Sequence, residues 1–236
     1  MKKNTIPVVF IITKLELGGA QKVCLALFSE LKKNNIDTWL ISGTEGPLVK
    51  QVLHNKQAIF IPELKRECTF FGIKNDIKAI FALYKTLKTL QKKYSTRDLI
   101  IHTHSTKAGY LGRWAAFFAR ITHRIHTVHG FGFHPYQSRL GYAFAYVLEF
   151  LTSWITSSYI CVSKQDQKIG TRLLPGFYKK NILIRAAVQD KAFNNQQTIL
   201  RKKNTDQFIF GTVSCFKKQK NLFDVLEAFL VVHQKH

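Results

Sequence analysis

Residues Asp98–His134 run DLIIHTHSTKAGYLGRWAAFFARITHRIHTVHGFGFH, and this stretch decides the fold. Two short apolar strands, Asp98–Thr103 and Arg124–Val128, bracket a helical pattern that begins at Ala108. Its apolar residues Leu111, Ala115, Phe118 and Ile121 recur at helical spacing. Strand, helix and strand with short connections form the crossover unit of a parallel sheet. In open parallel sheets, ligands bind beyond the carboxyl ends of the strands. Both strands here end in polar clusters, His104-Ser105-Thr106-Lys107 and His129-Gly130-Phe131-Gly132-Phe133-His134. Chemistry is expected at these two ends.

Upstream, Val8–Thr13 is an unbroken apolar run, the mark of a strand buried on both faces. The loop Lys14–Gln21 follows, carrying Gly18 and Gly19, and then an amphipathic helix to about Lys33. Glycines at this place let the backbone approach a ligand, and the helix start offers free N–H groups to a phosphate. A plain tight turn would be written the same way, since the loop is neither GxGxxG nor a Walker motif. Thr38–Ser42 is a second strand, Glu45–Asn55 a second helix opened by Gly46-Pro47, and Ala58–Ile61 a third strand. A long helix from Ile73 to about Tyr94 is expected to bury Ile77, Ile80, Phe81, Tyr84, Leu87 and Leu90 as one stripe, with its lysines opposite.

Downstream, Leu140–Ile160 (LGYAFAYVLEFLTSWITSSYI) is about as long as a membrane span. Glu149 near its centre argues for a buried or interfacial helix instead, running into a strand at Ser158–Val162. Ser163 caps a helix from Lys164 to about Leu174, which Pro175-Gly176 ends, and Asn181–Ala187 is another strand. Polar residues 189–206 read as a linker. Beyond it lie a strand (Phe208–Val213), a loop (Ser214–Gln219) and a helix from Lys220 towards His236. One strand and one helix cannot enclose a core, so this second unit is expected to be the truncated start of a larger domain. The fold class is therefore α/β: a doubly wound parallel sheet over residues 1–188, a linker, and an incomplete βα domain over 207–236.

Charge narrows the partners. Thirty-six basic residues against 14 acidic ones give +22, an excess suited to nucleic acid, an anionic membrane face or a phosphorylated substrate. No zinc finger, helix-turn-helix or RNP signature accompanies it, so no nucleic-acid partner is expected. Cys24, Cys68, Cys161 and Cys215 are scattered, without CxxC or ligand-like spacing to histidine, which argues against structural zinc and disulfides and fits a reducing cytoplasm. No carboxylate or cysteine joins the histidine-rich stretch at ligand spacing, so no metal site is expected. The apolar run after Met1-Lys-Lys-Asn-Thr is too short for a signal peptide.

Five segments in order then carry a resemblance: Gly-Gly-Ala-Gln (18–21), His-Thr-His-Ser-Thr-Lys-Ala-Gly (102–109), His-Gly-Phe-Gly-Phe-His (129–134), Ile-Cys-Val-Ser-Lys (160–164) and Phe-Lys-Lys-Gln-Lys-Asn (216–221). Together they resemble the retaining nucleotide-sugar glycosyltransferases of family 4, which have the GT-B fold. The likeness is to bacterial members that build capsule, O-antigen or lipopolysaccharide glycans. It covers the N-terminal, Rossmann-like domain and the first βα unit of the C-terminal domain. The resemblance implies transfer of a sugar from a nucleotide diphosphate donor to a glycan or lipid-linked acceptor, without cofactor or metal. It implies that Gly18, Gly19 and Gly130 approach the donor and that His129 lies beside the donor sugar. It implies that Lys217 and Lys220 hold the diphosphate, where lysine charge can meet the leaving group. His104, Ser105 and Lys107 fall on the acceptor side. Cys215 stands where many members carry arginine, and the family's paired donor-gripping glutamates would fall after His236, so the chain is expected to be inactive by itself.

Plainer roles compete. His102 and His126 lie inside strands, where packing or backbone bonding is expected, and His123 and His134 read as surface residues. Lys107 opens a helix, where the dipole disfavours a cation, so it faces either a ligand or solvent. Phe131, Phe133 and Tyr136 either form an acceptor- or lipid-facing surface or pack on the 140–160 helix, with packing the favoured reading. A basic nucleic-acid- or partner-binding module without catalysis is the rival function. A cytoplasmic enzyme docked on the anionic inner face of the membrane accounts for the same charge.

Overall fold

The computed structural model describes residues 6–65, 72–94, 98–135, 137–186, 210–214, 216 and 220–235. The chain divides into two compact units, Met1–Ala187 and Val188–His236. The first holds strands β1 (Val8–Ile12), β2 (Thr38–Ser42), β3 (Ala58–Phe60), β4 (Ile100–His104), β5 (His123–Val128), β6 (Ser158–Cys161) and β7 (Asn181–Leu183). They form one parallel sheet in the order β3-β2-β1-β4-β5-β6-β7. Helices α1 (Gly19–Lys33), α2 (Val49–Val52), α3 (Gly72–Lys93), α4 (Thr106–Phe118), α5 (Arg139–Ile155) and α6 (Lys164–Leu173) make the crossovers. The chain starts at the centre, winds out to β3, returns to β4 and winds the other way. The doubly wound parallel sheet expected from the sequence is the one observed, with its switch point between β1 and β4.

Alternation along β1 divides the core. Val9 and Ile11 face a cluster with Leu83 and Leu87 of α3 and Leu111 and Ala115 of α4. Phe10 and Ile12 face the other way, onto Cys24 and Phe28 of α1. Helix α4 sits unusually close to the sheet. A Cβ at Gly112 would come within 2.8 Å of Thr103 Cγ2, and one at Gly109 within 2.6 Å of the His126 ring. Side chains at these positions would push the helix off its strands.

Three expectations change. The helix expected over 45–55 is a single turn, Val49–Val52, because the segment before it bonds to the loop after β1: Leu15 N–H donates to Glu45 O at 3.0 Å and Leu48 N–H to Leu15 O at 2.9 Å. On α3 the buried positions are Ala79, Leu83, Leu87 and Leu90, while Ile77 and Phe81 are exposed. The helix is rotated from the stripe assumed because α4 packs beside it and takes the Ala79–Leu83 side. In the second unit α7 (Leu222–Lys235) forms as expected, but residues 210–213 are not in a strand. Among the described residues of this unit there is no second strand to complete a ladder, and residues 208 and 209 of the expected strand lie outside them. The expected linker, 189–206, lies outside the described residues.

One buried ion pair joins α4, α5 and β6. Arg113 is completely buried, and its Nη1 and Nη2 donate to Glu149 Oε1 and Oε2 at 3.0 and 2.9 Å. Nη1 also reaches Thr156 Oγ1 at 2.8 Å and the Tyr159 hydroxyl at 3.1 Å, and Nε donates to Gly109 O at 2.8 Å. Tyr159 in turn donates to Glu149 Oε1 at 3.1 Å. Glu149, read from the sequence as a reason against a membrane span, is the partner of a guanidinium inside the domain. Among the described residues no helix is long and apolar enough to cross a membrane. Glu149→Gln should destabilise the first unit by about 3–5 kcal/mol, because it strands a buried charge. Replacing both partners, Arg113→Met with Glu149→Leu, should lose much less. Urea unfolding of the two variants checks this, and equal losses would show that the pair is not coupled.

Candidate functional site

Each parallel strand delivers its last residues to one edge of the sheet, and hydrogen bonds tie those ends together. Thr13, just past β1, lies with its Oγ1 2.8 Å from Ser105 Oγ beyond β4. The same Oγ1 accepts from Ala108 N–H at 3.1 Å. A residue from another strand thus satisfies an N–H at the start of α4, a task usually left to the local N-cap. Ser105, at that N-cap position, makes no side-chain cap bond and is held at φ +66°, ψ 152°. This is costly backbone for a residue with a Cβ, and such strain gathers at functional sites.

From β4, His104 Nδ1 reaches His129 Nε2 across 3.0 Å, linking the ends of β4 and β5. Ring contacts continue inward, His129 to His104 at 5.3 Å, His104 to His102 at 4.5 Å and His102 to Phe10 at 5.2 Å. His102 Nε2 meets Thr127 Oγ1 at 2.7 Å, and His126 Nδ1 meets Thr103 Oγ1 at 2.9 Å on the opposite face. The strand histidines are packed inside the domain, one of the two roles expected, and their ring nitrogens meet threonine hydroxyls of the neighbouring strand instead of backbone. Gly130, immediately after His129, takes φ +110° and turns the chain away from β5. Past β6, Ser163 Oγ accepts from Asp166 N–H at 3.0 Å and caps α6, as expected. Gly18 is the N-cap of α1, with no side-chain cap, and a Cβ added at Gly19 would point into open space.

The structure brings Gly18, Gly19, His104, Ser105, His129 and Gly130 to this edge. Two residues expected on the acceptor side are buried. His104 is completely buried, so it can reach a ligand only through His129. Lys107, 5% exposed, pairs with Asp76 Oδ1 at 2.7 Å, which also removes the solvated alternative. A carboxylate from α3 is what makes a cation tolerable at the start of α4. Lys220 belongs to the second unit, and Lys217, Cys215 and Tyr136 lie outside the described residues. Phe131 and Phe133 stack at 4.8 Å, and Phe133 packs on Tyr142 and Tyr146 of α5, as expected. Thr13, Thr127 and Asp76 went unnoticed in the sequence. The signal available was register, since parallel pairing sets the His-Thr-His of β4 beside the His-Thr of β5.

Burial sets the charge of the site. It pulls His102 and His129 from an ordinary 6.5 down to about 4, with Asp166 opposing at His129. It holds His104 and His126 well below the usual value, helped at His104 by the neighbouring imidazoles and at His126 by the Arg113 guanidinium. All four rings are neutral near pH 7. The unfolded chain protonates them near 6.5, whereas in the folded chain His102 and His129 resist until about 4 and His104 and His126 are also held well below the usual value. Their effect on stability is therefore nil above about pH 6.5 and destabilising below it, by about 1.4 kcal/mol per pH unit for each fully buried ring. Melting temperature should fall steeply between about pH 6.5 and pH 5, and His102→Gln should flatten that slope. A melting temperature constant over this range would contradict the neutral cluster.

The chain is similar to known proteins. The sequence pattern described as Glycosyltransferase Family 4 matches residues 17–175. An Escherichia coli UDP-Gal:alpha-D-GlcNAc-diphosphoundecaprenol alpha-1,3-galactosyltransferase is 35% identical over 153 residues, covering 65% of this chain and 37% of that protein. The capsular polysaccharide biosynthesis glycosyltransferase CapM of Staphylococcus aureus is 26% identical over 213 residues, covering 87% of this chain and 53% of CapM. The chain thus spans about half or less of the curated relatives it matches. Among solved structures, the S. aureus MnaA–UDP co-structure superposes with a TM-score of 0.50 at 12% identity, over 76% of this chain and 43% of that one, a likeness of fold alone. The family match runs from the glycine loop before α1, through the tips of β4, β5 and β6, to the end of α6, and on that extent the chain belongs to glycosyltransferase family 4.

Proposed function

We propose that this chain supplies the acceptor-side half of a retaining glycosyltransferase. The enzyme would move a sugar from a nucleotide diphosphate donor to a lipid-linked cell-envelope glycan at the inner face of the membrane. The observation that carries the reading is the His104–His129 contact at 3.0 Å, which fixes a neutral imidazole at the edge where three strand tips are tied together. The name of the E. coli relative, with its UDP-galactose donor and diphosphoundecaprenol-linked acceptor, supports this substrate class.

In this reading His129 orients the donor sugar. A neutral ring suits that task, because an imidazolium beside an anomeric carbon that is becoming cationic would oppose the reaction. Burial, by holding His129 near 4, keeps that charge away throughout the physiological range. Gly18 and Gly19 admit the diphosphate to the start of α1, whose N–H groups carry partial positive charge. Gly130 gives the backbone next to His129 its turn, and Ser105 is the acceptor-side hydroxyl left at the edge. Lys217 and Lys220 meet the charge of the leaving diphosphate, so the step as proposed asks for no metal. His104 acts as a positioning residue for His129.

In the full-length protein, His129→Ala should lower turnover by about 100-fold or more while leaving the melting temperature nearly unchanged. The check is transfer from a panel of nucleotide sugars to a lipid-diphosphate-linked acceptor. Undiminished turnover in a folded variant would refute the assignment.

A further inference from the structure

Helix α5 buries several polar side chains and leaves an apolar face outward. Its acidic and hydroxyl side chains Glu149, Thr152 and Ser153 are buried, whereas Leu140 (84% exposed), Phe144 (57%), Val147 (49%), Leu151 (49%) and Trp154 (69%) face outward. These five recur at intervals of four and three, so they form a single stripe along the helix. At ~1.5 Å per residue the stripe is ~21 Å long. A helix facing water would carry polar residues there. The apolar surface continues sideways. Trp114 of α4 donates to Thr152 Oγ1 at 3.0 Å and packs against Phe117 and Phe118, both exposed. On α3, beyond α4, Ile73, Ile77 and Phe81 are exposed as well. The crossovers through α3, α4 and α5 step the same way across the sheet, so right-handed connection places all three helices on one face.

Charge on this face has one sign. Glu149 is the single acidic residue between Asp98 and Asp166, and Arg113 neutralises it in the interior. The carboxylate of Asp76 on α3 is engaged by Lys107 and the Tyr110 hydroxyl. Exposed Lys74, Lys78 and Lys85 flank the α3 residues, exposed Arg120 lies just past the end of α4, and exposed Arg139 is the first residue of α5. None of the three helices exposes a carboxylate among the described residues. Two copies meeting through this face would set cation against cation. A surface that is apolar within and negative at its boundary fits both features.

We propose that the outer face of the α3–α4–α5 layer docks on an anionic lipid bilayer, with the α5 stripe lying in the interface and the surrounding lysines and arginines against lipid head groups. Trp154 then sits where tryptophan is favoured, at the boundary between apolar and wet. This deepens the proposed function, because α5 starts at the edge that carries His129. A lipid-linked acceptor bedded beside the stripe presents its head group to that edge.

The test is sedimentation of the purified chain with vesicles of phosphatidylcholine alone or mixed with phosphatidylglycerol. Binding to the mixed vesicles should be salt-sensitive, and brominated lipid should quench Trp154. Phe144→Glu with Leu151→Glu should reduce partitioning at least tenfold without lowering the melting temperature, since both residues face outward. Lys74→Gln with Lys78→Gln and Arg120→Gln should reduce it on the anionic vesicles. Unchanged partitioning of the glutamate variant would overturn the proposal. So would failure to bind vesicles, whether the chain stays monomeric or forms a dimer that the same variant dissolves. The two readings fail separately: loss of sugar transfer with vesicle binding intact counts against the enzyme reading alone, and the reverse against the docking surface alone.

Discussion

A guanidinium can be buried in an α/β layer only where each nitrogen finds an acceptor and a carboxylate balances the charge. Arg113 meets that condition through Glu149, Thr156, Tyr159 and the carbonyl of Gly109, which lie on α5, just past α5, on β6 and on α4. The requirement reaches outward in the chain. Helix α5 must turn Glu149 inward, and once that rotation is set, residues three and four positions apart on the other side must face out. The apolar stripe from Leu140 to Trp154 is thus the geometric counterpart of a polar interior.

The same constraint bears on the candidate site. Arg113 stands beside His126, and the His126–Thr103 contact joins β5 to β4 just below the tips where His104 meets His129. The neutral imidazoles, the Thr13 cap on α4 and the strained Ser105 form one connected polar network at the carboxyl edge, and the ion pair anchors its helix side. A network of this kind is stable only when its members are paired, which explains why histidines enter β4 and β5 at positions otherwise reserved for valine or isoleucine. Membrane docking and sugar chemistry would then share a single rigid layer.

Legibility in the sequence followed the range of the interaction. The Asp98–His134 stretch announced strand, helix and strand because apolar period and turn residues are local, and the sheet it implied is the observed one. Helix α5 and the cap at Ser163 were equally plain. Misreadings fell where a distant segment intervened. Residues 45–48 bond to the loop after β1 instead of extending a helix, and α3 rotates to accommodate α4, leaving Ile77 and Phe81 outside. Lys107 read as facing ligand or solvent because its partner Asp76 lies on a different helix. His102 and His126 were legible as packed or backbone-bonded strand residues, but not their threonine partners, which sit on adjacent strands.

From the order of its residues alone, the protein could be placed as a doubly wound parallel sheet with a polar edge, rich in histidine at the ends of two strands and carrying a large positive charge. Those properties depend on side-chain period and composition, which neighbouring residues carry among themselves. Which imidazole would face a substrate, which lysine is already neutralised and which face of α5 is left to the surroundings were decided only by tertiary structure. Each depends on strand register and helix rotation, and these are fixed by contacts between residues tens of positions apart.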